Sequence, residues 1–258
     1  MYVVSLLARS AVFAMFIYVL GAISGNAAVL DITSFNRSEH AAARQALSAF
    51  QKGTDLEPGK AMTGVRTETF SKFKAWDGTS GAVNPKTAVG AFTALGGRGN
   101  GGSAINGGTG LQVRNEDPWK WGRFNSGGAG GKWLDSNDTL GMRWEVKSKG
   151  GFNALGFLLT DVADAGARFS IKVGDTLFSD LLGASGRLAN GSIQFVRILL
   201  PATVTNLTVE LRNSRRNDGF GIDRASVGRV APVPLPPAAL LLVSGAAALV
   251  ALRRRRAV

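Results

Sequence analysis

The stretch "LGMRWEV" places the strongest limit on what this chain can fold into. Leu140, Met142, Trp144 and Val146 alternate with Gly141, Arg143 and Glu145, and a two-residue period puts the apolar side chains on one face of an extended strand. "RFSIKV" repeats the pattern with Phe169, Ile171 and Val173, and "NLTVELR" with Leu207, Val209 and Leu211. "TAVGAFTAL", "ALGFLLT", "SIQFVRILL" and "GFGIDRASV" extend the series to at least seven strand candidates separated by turn residues. That number and spacing predict a mainly β domain over residues 28–231, an antiparallel, jelly-roll-like β-sandwich.

One segment breaks the period. "SEHAAARQALSAFQKG" predicts an N-terminal helix capped by Ser38, sustained by its alanines and leucine, and ended by Gly53. Between Gly96 and Gly131 the alternation dissolves, because 13 of the 34 glycines fall there. So little side-chain surface predicts long loops, interrupted by a short strand at "LQVRN". No lysine and no following helix accompany the glycines of "GRGNGGSAINGGTG", which argues against a phosphate-binding turn.

The two ends have another character. From Leu235 to Leu252 no residue is charged, and 18 positions at about 1.5 Å each reach roughly 27 Å, enough to cross a hydrocarbon core. Arg253, Arg254, Arg255 and Arg256 follow as a stop-transfer cluster, which orients such a helix with the preceding domain outside the cytoplasm. Residues 1–27 carry one charge, Arg9, then an apolar run from Ala11 to Ile23 and the small residues Gly25 and Ala27, the layout of a signal peptide cleaved after Ala27.

"VPLPPAALLLVSGAAALVALRRRR" resembles the C-terminal sorting signal of PEP-CTERM-class exported proteins in its VPLPA variant. The motif here is Val233, Pro234, Leu235, Pro236, Pro237 and Ala238, with one extra proline before the alanine. The resemblance implies that 232–258 is a sorting signal. An exosortase-type enzyme of a Gram-negative, exopolysaccharide-rich envelope would cut near the motif and release the domain from an inner-membrane precursor to the surface. The middle is similar in style to sandwich domains that precede such tails, through "WLDSND" and the closing "NDGFGIDRASV".

The formal charge of +12 points at first to a nucleic-acid partner, but loss of Arg9 and the four terminal arginines would leave +7. The remaining cations are interleaved with acids, as in "RWEVKSK", so no nucleic acid is expected, while acidic exopolysaccharide is compatible. No cysteine is present, which excludes thiol chemistry and requires an exported domain to hold itself together by its core.

Catalytic signals are sparse. His40, the only histidine, sits at the start of the helix with no nucleophile elbow elsewhere. Glu116, Asp117, Asp135 and Asp138 read as solvated loop acids unless two lie at a glycosidase separation. Trp119 and Trp121 in "DPWKWGRF" share a face if extended and are candidates for stacking on a sugar ring, or else cover the core. Asp218 and Asp223 are candidate calcium ligands, joined by Asn217 and, if the strand ends meet, by Asp161 or Asp164. Arg224 follows them where similar modules carry a second acid. The expectation is therefore a non-catalytic surface or matrix protein, with a secreted glycoside or ester hydrolase as the alternative.

Overall fold

The structure is a computed structural model that describes residues 28–54, 61–96, 110–115, 122–126, 131–183 and 186–231. The signal peptide, the sorting motif, Arg253 to Arg256, Trp119, Trp121, Glu116 and Asp117 lie outside the described residues. Among those described, no helix is long and apolar enough to cross a membrane.

The domain is mainly β and antiparallel. Its strands are β1 (Val29–Phe35), β2 (Thr63–Glu68), β3 (Lys86–Thr87), β4 (Gly90–Leu95), β5 (Gln112–Arg114), β6 (Trp133–Asp135), β7 (Gly141–Thr160), β8 (Phe169–Val173), β9 (Thr176–Leu182), β10 (Ile193–Asn213) and β11 (Gly221–Arg229), all in one open sheet. "LGMRWEV" and "ALGFLLT" are two halves of β7, and "SIQFVRILL" and "NLTVELR" are two halves of β10, not four separate strands. β7 and β10 pair along both halves, with register shifts between Leu199, Val204 and Asn206.

These long strands double back. Trp144 and Phe157 are thirteen residues apart on β7, roughly 43 Å on a straight strand, yet their ring centroids are 5.9 Å apart, edge to face. The first half of β7, with β4, β10 and β8, therefore faces the second half, with β10, β1 and β11, across one core. Met142, Trp144, Val146, Ile171 and Leu211 enter that core from one side, and Leu155, Phe157, Leu159, Val196 and Ile222 from the other.

The two layers read differently in sequence because, among the described residues, only the second carries a helix on its outer face. Helix α1 (His40–Lys52) lies on the outside of the second layer, where Ala43, Leu47 and Phe50 pack against Ala154, Leu158, Ile193 and Phe195. A Cβ on Gly156 would stand 2.8 Å from the Phe50 ring, so glycine there lets the helix seat. Among the described residues no helix covers the outer face of the first layer, and the first half of β7 and β8 keep an apolar/polar alternation there.

The helix ends at Gly53, as expected, with the Gly53 N–H bonded to carbonyls of the last turn. Its start differs from the Ser38 cap. A 3₁₀ turn at Arg37–Glu39 precedes it, and the Glu39 carboxylate accepts from the Asn36 N–H at 2.7 Å. The acid three residues on bonds the Asn36 backbone directly, so the chain enters the helix from Asn36 instead.

Candidate functional site

Two places concentrate functional groups. The first is the outer face of the first layer, where Arg143, Glu145 and Lys147 of β7 point away from the core by strand alternation. Across the ladder they register with Glu210, Thr208 and Asn206 of β10, and Glu210 registers with Lys172 of β8. The result is a polar groove of about 600 Å³ floored by these side chains and bounded by Asp175.

Glu210 anchors that floor. Its Oε1 accepts from Arg143 Nε at 3.0 Å and Nη2 at 2.8 Å, and its Oε2 from Arg212 Nε at 2.9 Å. Burial opposes its charge, but the bonds from Arg212 and Arg143 outweigh it and hold the carboxyl below the usual glutamate range. The Arg143 and Arg212 side chains remain 43% and 46% exposed, and each guanidinium has more donors than its bonds to Glu210 use. "RWEVKSK" thus reads as one row of alternating charge on a single face.

The second place is the end of the layers where β7 and β10 both begin and finish. Doubling back brings Asp138, before β7, near Asp161, after it, and the 214–220 turn closes over them. Arg123 is 6% exposed and bonds Asp135 Oδ1 at 2.7 Å and Asp138 Oδ1 at 3.0 Å. Burial disfavours its charge, but Asp135, Asp138 and Asp161 keep it firmly protonated. Asp135 and Asp138 are each 3% exposed, so they are buried partners of a cation and not solvated loop acids.

Around this pair stand three more carboxylates. A Cβ on Gly122, whose φ is +87°, would lie 2.0 Å from Asp161 Oδ1, and one on Gly219 would lie 2.4 Å from both Arg123 Nη1 and Asp138 Oδ1. These glycines let the backbone close on the cluster. Asp161 accepts from the Gly191 N–H at 2.7 Å, and Asp218 Oδ2 from the Ala167 N–H at 2.6 Å. Burial pushes the Asp161 carboxyl up to about 8, with the negative fields of Asp164 and Asp218 adding to it. Burial also raises Asp164, aided by Asp218, and raises Asp218 against the N–H groups of Ala167 and Ala165.

Of the sequence-derived candidates, the structure brings Asp161, Asp164 and Asp218 to the same end of the layers, although among the described residues no three acids are gathered closely enough to hold a metal, and it gives Asp223 other partners. Asp223 Oδ2 accepts from Ser126 Oγ at 2.9 Å and its Oδ1 from the Arg224 N–H at 2.7 Å. His40 is exposed at the first residue of α1. Trp144 is core, with Nε1 donating to the Val89 carbonyl at 3.1 Å.

No protein-family model matches this chain, and no curated protein matches it. Among solved structures it is similar to the K2 cleaved adhesin domain of Lys-gingipain, with 14% identity and a TM-score of 0.39 over 64% of this chain and 98% of that one. It is also similar to the Agl-KA catalytic domain, with 13% identity and a TM-score of 0.29 over 60% of this chain and 31% of that one. Neither TM-score carries an assignment of fold or function.

Proposed function

We propose that residues 28–231 form a jelly-roll-like β-sandwich exported to the cell surface or extracellular matrix, where it binds exopolysaccharide without turning it over. The outer-face groove carries this reading. Its floor offers fixed donors on Arg143 and flexible cations on Lys147 and Lys172, interleaved with the acceptors Glu145 and Thr208. A polysaccharide strand presents rows of hydroxyls, with carboxylates when it is acidic, and such a surface suits hydrogen-bonded and ionic recognition.

The route rests on the two terminal segments. A signal peptide of residues 1–27 would export the chain, and the helix of 235–252 would hold the precursor in the inner membrane until an exosortase-type enzyme cuts near Val233 to Ala238. A hydrolase using the same groove is the second reading. Retaining or inverting glycoside hydrolysis needs one carboxyl protonated as the acid. Glu210 is held ionised by two arginines, which favours binding.

Affinity electrophoresis through gels containing acidic or neutral polysaccharide tests the reading. The protein should be retarded by the acidic polymer, less so at high salt, and Lys147→Glu with Lys172→Glu should remove most of the retardation. Equal retardation of the double variant refutes the groove as the site. Release of reducing ends by the wild type refutes the non-catalytic reading.

A further inference from the structure

We propose that β1 is the surface through which two copies of this chain associate, edge to edge and antiparallel, with Ile32 facing Ile32 of the second copy across a twofold axis. This inference does not depend on polysaccharide binding.

A sheet edge offers a row of backbone donors and acceptors to any strand that reaches it, and domains that stay apart blunt their edges with bulges, charges, proline or brevity. Among the described residues β1, β2, β3, β5 and β9 each pair with one named strand only, and all but β1 are blunted. β3 and β5 are two and three residues long. β9 slips register against β8 and carries Asp180 at a φ of +50°. β2 slips against β11, holds Gly64 at a φ of +62° and exposes Arg66.

β1 has none of these devices. Its seven residues pair with seven of β10 without a shift, and none of them has a positive φ. "VLDITSF" contains no proline and no lysine. Its one charge, Asp31, is already matched by Arg197 of β10 at 2.7 Å.

The strand's own pattern selects the occupant. Laid antiparallel on itself over its full length, β1 sets Val29 against Phe35, Leu30 against Ser34, Asp31 against Thr33 and Ile32 against Ile32. Directly opposed residues share a face, so half-buried Leu30 and Ile32, which pack against the core, meet their counterparts and continue the apolar layer across the axis. On the other face Val29, 61% exposed, meets half-buried Phe35. The only charge faces a threonine hydroxyl, whereas a register slid by two residues toward the N-terminus would oppose Asp31 to Asp31, which like charge disfavours. A twofold contact of this kind uses up both edges and closes at two copies. The polar groove, on the outer face of the other layer, takes no part in it.

Sedimentation equilibrium of the full-length protein in mild detergent tests the contact. The mass should rise from one chain to two as concentration increases, with a Kd below about 1 mM, and go no higher. Thr33→Glu, at an exposed position, sets a second carboxylate against Asp31 of the other copy, twice by symmetry, and should weaken association at least about tenfold. Ser179→Glu, exposed on β9, should leave it unchanged. Because the chain has no cysteine, oxidation of Ile32→Cys should link two copies, and oxidation of Leu177→Cys, an exposed position on β9, should not. The mass of one chain at every concentration up to about 1 mM overturns the proposal. A dimer undiminished in Thr33→Glu, or weakened equally in Ser179→Glu, lies on another surface and overturns it as well. If Thr33→Glu fails to fold, the cysteine variants decide, and linkage through Leu177→Cys without linkage through Ile32→Cys overturns the β1 contact.

Discussion

Replacing Trp144 with alanine should be among the most damaging single changes to this domain. The side chain is fully buried, stacked on Phe92 at 5.3 Å and edge to face with Phe157 at 5.9 Å. Truncating a buried tryptophan costs about 3–5 kcal/mol, and loss of the indole hydrogen bond to the Val89 carbonyl, which keeps only the Lys147 N–H, adds about 1 kcal/mol. The total, about 4–6 kcal/mol, is a large share of the roughly 5–15 kcal/mol that holds a typical domain. Urea unfolding followed by fluorescence and circular dichroism would measure it. A double-mutant cycle with Phe157→Ala sharpens the test, because these residues touch only if β7 doubles back. The coupling should be about 0.5–1.5 kcal/mol. A cost below about 1 kcal/mol for Trp144→Ala, or zero coupling to Phe157, would refute the folded-over architecture.

Acid should weaken the domain partly through Glu210. Its folded carboxyl lies below the ordinary glutamate value of 4.5, so the stability it contributes is present above that pH and is lost as pH falls through the lower folded value. Glu210→Gln should flatten the decline in urea midpoint below about pH 4.5 relative to the wild type; an unchanged acid limb would argue against the ion network. Processing predicts that intact-mass measurement of protein released by a host carrying the sorting enzyme finds a start near Ala28 and no Arg253 to Arg256. Released material that keeps the arginines would reject the sorting reading.

Strands were legible wherever one face is wet and the other dry, as at Met142, Trp144 and Val146 or Phe169, Ile171 and Val173. β2 lacked that signal because nearly every residue of "TGVRTE" is exposed, and β1 blurred it as an edge strand with half-buried Leu30 and Ile32. The doubling back of β7 was hidden because "KSKGG" reads as an ordinary turn between two strands, while the ladder with β10 resumes beyond it. That same doubling decides the sites. Asp161, Asp164 and Asp218 could be linked in sequence only on condition that strand ends meet, and they do. Arg123 was missed inside a glycine-rich stretch, since no local pattern distinguishes a buried cation from a surface one. The groove was legible in principle, because alternation puts Arg143, Glu145 and Lys147 on one face, but charge interleaving along the chain disguised a row in space.

Hydrogen exchange of the protein with and without an acidic exopolysaccharide tests the central claim most directly, because it reports where on the sheet the ligand lies. Binding should slow exchange at residues 143–147 of β7, in β8 and at residues 206–210 of β10, and leave the α1 side of the second layer unchanged. Protection confined to the helix-covered layer, or no protection at saturating polymer, would contradict a polysaccharide site on the outer face.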